Sequence, residues 1–379
     1  MTDAIGSALR RLSGLRGWIA IAAFALLWTA LGIDIILWLL RLSGGYSSKA
    51  NLLSHFWPYL SFGGALAGLL ARGMPNSLRS IPTVWLLVSL AIIHGKQIVP
   101  KADLPPPRGA TVRVMTLNLG GAPGTRRRAM RYLRQRRNVD ILFLQEVHGG
   151  PGFRDRSELE AALGRRFPGR AWFKGAPENR FRLGLGIMSR FPLREIRTLQ
   201  LPSGKTRTGR CRQAAALTAK AWVRGRPVRL VTAHLCPPAI PWEDAWGRPV
   251  GLSFGTVADW LASLREFEYA RRSQIRFLRA LAEGGVEPLI LAGDLNTTPA
   301  SLDILELSGP LKNAYTARGM GFGFTYSLWS LGARLDHVFF SDGIAARSAS
   351  IADVDISDHK PLEAVLEILP KGQARPPSR

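Results

Sequence analysis

Three apolar runs crowd the first hundred residues. Trp18–Leu40 is almost wholly apolar, with Asp34 its single charge and Arg16 and Arg41 at its flanks. A helix of that length crosses about 30 Å of hydrocarbon. Leu52–Leu70 is the second run and contains Gly63, Gly64 and Gly68, small residues that let membrane helices approach closely. Ile81–Ile93 is the third, and it reaches Val99 only by taking in His94 and Lys96. The pattern predicts an all-α transmembrane region of about three helices within 1–100, with spans near 18–40, 52–70 and 81–99. A surface or re-entrant helix is the alternative for the third. The first run is too long for a signal-peptide core and lacks a convincing cleavage site, so it reads as a retained anchor.

Beyond residue 100 the pattern changes. Residues 101–110 contain Pro105, Pro106 and Pro107 and read as a stiff spacer. From 111 to 369, short apolar runs of strand length alternate with helical stretches. Val112–Leu117 ends at Asn118, and Ile141–Leu144 ends at Gln145-Glu146. Val228–Thr232 leads to His234, and Pro288–Ala292 leads to Gly293-Asp294-Leu295-Asn296. Asp336-His337 opens Val338–Phe340, and Val354–Ile356 leads to Ser357-Asp358-His359. Helical patterns cover Arg126–Arg137 and Glu266–Glu283. This stretch is a mixed α/β domain, ample for one core. The tail, 370–379, is Lys-, Gly-, Arg- and Pro-rich and is expected to be disordered.

Charge complicates the picture. The 379 residues carry 51 Lys+Arg against 27 Asp+Glu, a net +24. Such an excess invites a nucleic-acid reading. Most of it lies in the mixed domain, and its arginine bias has a codon-usage reading as well. A basic surface serves DNA, RNA, lipid headgroups or pyrophosphates equally. Two cysteines exclude a disulfide-built scaffold and a Cys-rich zinc array. Cys211 and Cys236 either pair, if outside the cell, or remain free thiols. Arg10, Arg11 and Arg16 favour a cytoplasmic N-terminus. Three spans then put the mixed domain outside, whereas two would return it to the N-terminal side.

Other signals fail on their chemistry. Ser203-Gly204-Lys205-Thr206 mimics the end of a phosphate-binding loop, but position 199 is Leu where glycine is required. Gly319–Gly323 lacks the spacing and setting of a dinucleotide site. Gly251-Leu252-Ser253-Phe254-Gly255 fits Gly-x-Ser-x-Gly, but no strand-length apolar run leads into it, so it does not support the nucleophile elbow of a serine hydrolase. His148 reads as a surface-loop residue.

An isolated Asp or Asn after a strand is most often a turn former. Six strand ends bearing Asn, Glu, His, Asp/Asn, Asp and Asp/His together supply oxygen ligands, imidazoles and amide donors. Leu117-Asn118, Gln145-Glu146-Val147, Thr232-Ala233-His234-Leu235, Gly293-Asp294-Leu295-Asn296, Leu335-Asp336-His337-Val338 and Ser357-Asp358-His359-Lys360-Pro361 occur in an order that resembles the endonuclease/exonuclease/phosphatase superfamily. Gly184–Pro192 also matches a strand and turn common in it, and the resemblance covers roughly 110–368. It implies a four-layer α/β/β/α sandwich with a cleft along one edge of two packed sheets.

The same resemblance implies roles. Glu146, Asn118 and Asp358 lie at the metal site, for Mg²⁺ with Mn²⁺ as the alternative. Asp294 orients or deprotonates the attacking water, and Asn296 donates to a phosphoryl oxygen. His234 and His359 contact the phosphate, and Asp336 orients His359. Apurinic endonucleases carry tyrosine where this chain has His234, whereas deoxyribonuclease- and phosphatase-like branches carry histidine. The layout also resembles a membrane-anchored branch that includes glycopeptide-resistance proteins associated with a polyprenyl pyrophosphate.

One departure is a long Trp-rich segment after His234. Trp242 and Trp246 are expected to be substrate-binding, in a lid that dips into the membrane; a lid packed on its own domain is the alternative. The leading reading is an integral-membrane phosphohydrolase with an extracytoplasmic catalytic domain. Its partners are the lipid bilayer and an anionic phosphate substrate, with no protein partner implied. A membrane-tethered nuclease acting on nucleic acid is second. A degenerate scaffold is third, disfavoured by the complete residue set.

Overall fold

The computed structural model describes residues 15–120, 123–148, 155–174, 183–203, 214–237, 257–328 and 331–370. The chain divides into two compact units. One runs to Val99 and takes in Pro299–Leu302; the other holds Pro100–Thr298 and Asp303 onward.

The first unit is helical: α1 (Leu15–Ser43), α2 (Ser48–Ser54), α3 (Trp57–Leu70) and α4 (Asn76–Ile98). Two helices, α1 and α4, are long and apolar enough to cross a membrane. The span expected over 52–70 is not one helix, because the run is divided between α2 and α3. Pro58 has no N–H to offer the Ser54 carbonyl one turn back, and the chain breaks at His55-Phe56. The fourteen residues of α3 reach about 21 Å, short of the bilayer core. The third run begins earlier than expected, at Asn76.

Two glycines set the helix packing. A Cβ at Gly64 would lie 2.5 Å from the Ala30 Cβ and 2.7 Å from the Leu86 Cδ1. One at Gly68 would lie 1.9 Å from the Thr83 Oγ1. Only glycine lets α1, α3 and α4 close at those points, whereas Gly63 faces open space. Asp34 is buried among these helices. Its Oδ1 accepts from Trp57 Nε1 (2.7 Å), Ser61 Oγ (2.9 Å) and Ser89 Oγ (2.8 Å), and its Oδ2 from Trp85 Nε1 (2.9 Å). Four donors make a buried carboxylate tolerable. The outward positions are apolar: Trp18, Ile36 and Leu39 on α1 and Ile81, Val84 and Ile92 on α4 are exposed.

The second unit has two six-stranded sheets. The first is ordered β13 (Ile344–Ile351), β14 (Leu362–Ile368), β1 (Ala110–Asn118), β2 (Ile141–His148), β4 (Leu183–Ser189), β3 (Gly169–Phe173). The second is ordered β5 (Leu193–Gln200), β6 (Ala215–Val223), β7 (Arg226–His234), β8 (Leu289–Asp294), β12 (Asp336–Phe340), β9 (Lys312–Asn313). A small hairpin joins β10 (Tyr326–Leu328) to β11 (Leu331–Ala333).

Alternation along the strands builds the layers. Val112, Val114, Phe143 and Ile187 of the first sheet share one core with Leu217, Leu230, Ala292 and Val338 of the second. The opposite faces bury Met115, Leu117 and Leu142 against Ala129 and Leu133 of α5 (Pro123–Gln135) and Leu159 of α6 (Asp155–Leu163). On the far side Val231, Leu289 and Phe339 pack on Ile275 and Leu278 of α7 (Val257–Glu283). The result is the expected four-layer α/β/β/α sandwich.

Candidate active site

Strand register assembles most of the site. His234 stands beside Asp294 in the parallel β7–β8 pair, and Asp294 beside Asp336 in the antiparallel β8–β12 pair. On the other sheet Asn118 stands beside Gln145. Side chains alternate across a strand. Ala292, Val338 and Phe143 point into the inter-sheet core, so Asp294, Asp336 and Gln145, two residues along, share that face.

Glu146 breaks the rule. By alternation alone it would turn away from the cleft. Its backbone instead has φ 54°, and the β2–β4 register shifts between Gln145 and Val147. This bulge re-aims the side chain. Asn118 Nδ2 donates to Glu146 Oε1 (3.1 Å) and to Asp294 Oδ2 (3.0 Å). The Asn118 Oδ1 accepts the Gly120 N–H at 3.0 Å. Asn118 therefore bridges two carboxylates from opposite sheets. Asn296 also has a left-handed backbone, φ 48°. Its N–H donates to Asp294 Oδ1 (2.9 Å), and its Nδ2 donates to the Leu235 carbonyl (3.0 Å). Left-handed backbone at non-glycine residues persists only where the surroundings over-determine it.

The imidazoles close the cluster. His359 Nδ1 donates to Asp336 Oδ2 at 2.7 Å. The His359 Nε2 is 3.7 Å from Asp294 Oδ2, and His234 Nε2 is 3.5 Å from the same oxygen and 3.9 Å from Glu146 Oε1. Burial opposes charge on His359, but Asp336, Asp294 and Asp358 outweigh it and hold its pKa well above the ordinary value. Burial drives the Asp294 carboxyl upward, with Asp336 adding to it. His359, His234 and the Asn296 N–H pull the other way without cancelling the rise. Asp358 is exposed and accepts from Ser357 Oγ at 2.9 Å. A Cβ on Gly120 would lie 2.3 Å from its Oδ1, so glycine makes room for this carboxylate beside Asn118.

The donor set suits a hard divalent cation. Asp294, Asp336 and His359 bring ligand atoms within 4.8 Å of one another. Asp336 Oδ2 is taken by His359, while its Oδ1 is buried with no hydrogen-bond partner among the described residues; the carboxylates around Asn118 are a second group open to a cation. Gln145 and Thr232 complete the support: Gln145 Nε2 donates to Thr232 Oγ1 (2.9 Å), joining the two sheets under the cleft. Sequence reasoning gave neither a role, although both precede predicted site residues. Trp242 and Trp246 lie outside the described residues.

His337 follows Asp336 but faces away. Its Nε2–H donates to the Thr297 carbonyl (2.8 Å), and its Nδ1 accepts from Asn313 Nδ2 (3.0 Å). Burial, with the Arg334 charge, lowers its pKa to about 3. The folded protein therefore keeps it neutral while an unfolded chain protonates it from about pH 6.5. Stability is complete above that pH and falls as pH drops toward 3. Chemical denaturation of the full chain in detergent should show this fall, and His337→Gln should flatten it.

No curated protein matches the sequence. A solved endonuclease/exonuclease/phosphatase from Beutenbergia cavernae is 20% identical with TM-score 0.51, covering 68% of this chain and 72% of that one. One from Bacteroides vulgatus is 20% identical with TM-score 0.49, covering 68% and 99%. The human Nocturnin catalytic domain, solved with bound sulfate, is 19% identical with TM-score 0.48, covering 70% and 96%. The model of a family of divalent-metal-dependent hydrolases acting on phosphoester bonds matches residues 115–359. This chain belongs to that family, the Endonuclease/Exonuclease/phosphatase family.

Proposed function

We propose that this protein is a membrane-anchored, Mg²⁺-dependent phosphohydrolase that cleaves a phosphoester or pyrophosphate, carried by a lipid, at the bilayer surface. The observation that carries the reading is the helical unit with an apolar outer surface and a buried carboxylate, in the same chain as the hydrolase domain. The unit buries a small apolar core that includes Leu27, Ala30 and Leu86, but it also sets Asp34, Ser61 and Ser89 inside and leaves Trp18, Leu39 and Ile92 exposed. Such a surface suits hydrocarbon. Glu146 and Asp358, supported by Asn118, would hold the metal, which when bound would neutralise charge on phosphoryl oxygens. Asp294 takes or orients a water proton, and His234 and His359 donate to the phosphate. Asp336 accepts from His359 Nδ1–H and stabilises the imidazolium, whose Nε2–H is the donor left for the phosphate. Asn296 has one N–H left for a phosphoryl oxygen.

We place the catalytic domain outside the cytoplasm. Cys236 is disulfide-bonded, which suits an oxidising compartment; Cys211, the chain's other cysteine, lies outside the described residues. On this reading α2 supplies the length that α3 alone lacks, and the two together, broken at His55-Phe56, make the third crossing. A reporter fused to the C-terminus should be active only in its extracytoplasmic form. A cytoplasmic signal would reverse the topology.

A tethered nuclease is the second reading, favoured by the exposed arginines of α5: Arg127, Arg128, Arg131 and Arg134. A panel of plasmid DNA, bis-p-nitrophenyl phosphate and a polyprenyl pyrophosphate separates the two. We expect lipid pyrophosphate turnover to dominate. Plasmid nicking that weakens steeply with salt, without lipid turnover, would reverse the preference.

A further inference from the structure

The Asp336–His359 pair joins two sheets. Asp336 opens β12 of the second, whereas His359 stands in the loop before β14 of the first. A 2.7 Å hydrogen bond between them requires both ends to be held. Its acceptor end is held through Thr325, which is fully buried. The Thr325 Oγ1 accepts the backbone N–H of Leu335 (3.0 Å) and of Asp336 (3.1 Å). Its own N–H donates to the Ala333 carbonyl (2.9 Å), and its carbonyl accepts the Lys360 N–H (2.7 Å). The next residue reaches the donor end. Tyr326 forms an antiparallel bridge with His359, and the two rings lie 4.9 Å apart, tilted by 45°.

A histidine ring needs this second contact. Its χ2 torsion has broad wells, so the side chain's own rotamer fixes the ring plane poorly. One hydrogen bond at Nδ1 still allows the ring to swing about that bond, which moves Nε2 across the cleft. An aromatic face against the imidazole removes the swing. We propose that Thr325-Tyr326 is a clamp on the dyad, with Tyr326 a positioning residue that fixes the plane of His359 and hence the aim of Nε2. The ring performs this task, and the phenol hydroxyl is dispensable for it. The inference stands on the family's phosphoester hydrolysis and is independent of the lipid reading.

The test uses the full chain in detergent with Mg²⁺ and soluble bis-p-nitrophenyl phosphate, with thermal melts alongside. Tyr326→Leu should lower kcat by about 10–100-fold, the effect of a misaimed catalytic group, while KM stays within about twofold of wild type. Tyr326→Phe should restore kcat to within about threefold. Unchanged kcat in Tyr326→Leu would overturn the clamp. A KM effect without a kcat effect would also overturn it, since the ring would then touch substrate. Failure of Tyr326→Phe to rescue would assign the role to the hydroxyl instead. Thr325→Val keeps the ring and removes the acceptor shared by Leu335 and Asp336. It carries the test if Tyr326→Leu does not melt cooperatively: lower kcat at unchanged KM supports the clamp, and unchanged kcat overturns it.

Discussion

Asp294→Asn lowers kcat by about 10²–10⁴-fold, the loss expected when a positioned proton acceptor is removed, while the protein stays folded. The substitution keeps the shape and removes the charge. The Asn296 N–H that now donates to Asp294 Oδ1 still finds an amide oxygen there. The other contacts lose their basis. Asp294 Oδ2 is the point on which the Asn118 amide, at 3.0 Å, and the two imidazoles, at 3.5 and 3.7 Å, converge. A neutral amide gives those groups no charge to face and takes no proton from water. Burial is the main reason Asp294 sits above the ordinary carboxylate range, which makes it a better proton acceptor than an exposed aspartate. The measurement is kcat on a soluble phosphodiester with a melting curve beside it. Full activity in a normally melting Asp294→Asn protein would remove Asp294 from the chemistry.

How much of this was legible follows from what each residue depends on. Asn118, His234, Asp294 and Asp336 end or open strands whose apolar alternation is local, so their common face can be counted along the chain. Glu146 could be recognised by family pattern but not placed by periodicity. Its position needs a left-handed backbone and a bulge against β4, and strand pairing is not a local property. The Gln145–Thr232 link and the Tyr326–His359 contact join residues 87 and 33 positions apart. Neither residue is chemically marked, so only the fold reveals them. In the helical unit, length and hydropathy gave the two long apolar helices. The second run is two helices and not one because Pro58, to which a hydropathy count is blind, costs a backbone hydrogen bond. Asp34 read as a lone charge in an apolar stretch; its four donors come from α3 and α4.

Asp336→Asn and His359→Gln each lower kcat, and the double substitution costs little more than the worse single one. Groups that act as a unit give strongly non-additive losses. Here the unit is visible: His359 Nδ1 donates to Asp336 Oδ2, and both are buried. Removing the carboxylate frees the ring to turn and takes away the charge that stabilises its imidazolium; loss of the equivalent aspartate's charge costs about 10⁴-fold in the Ser-His-Asp triad. A loss on the order of 10²–10⁴ is therefore expected here for each single variant. The alternative is that Asp336 serves as a ligand in the compact Asp294–Asp336–His359 group. Metal dependence separates the two. If Asp336 orients His359, Asp336→Asn leaves the half-saturating Mg²⁺ concentration near wild type, whereas Glu146→Gln raises it. If Asp336 binds metal, its variant needs more Mg²⁺ and excess metal restores the rate. The 2.7 Å bond from His359 Nδ1 to Asp336 Oδ2 is the observation behind the first outcome, whereas the buried Asp336 Oδ1, which has no hydrogen-bond partner among the described residues, is the atom that would serve a cation in the second.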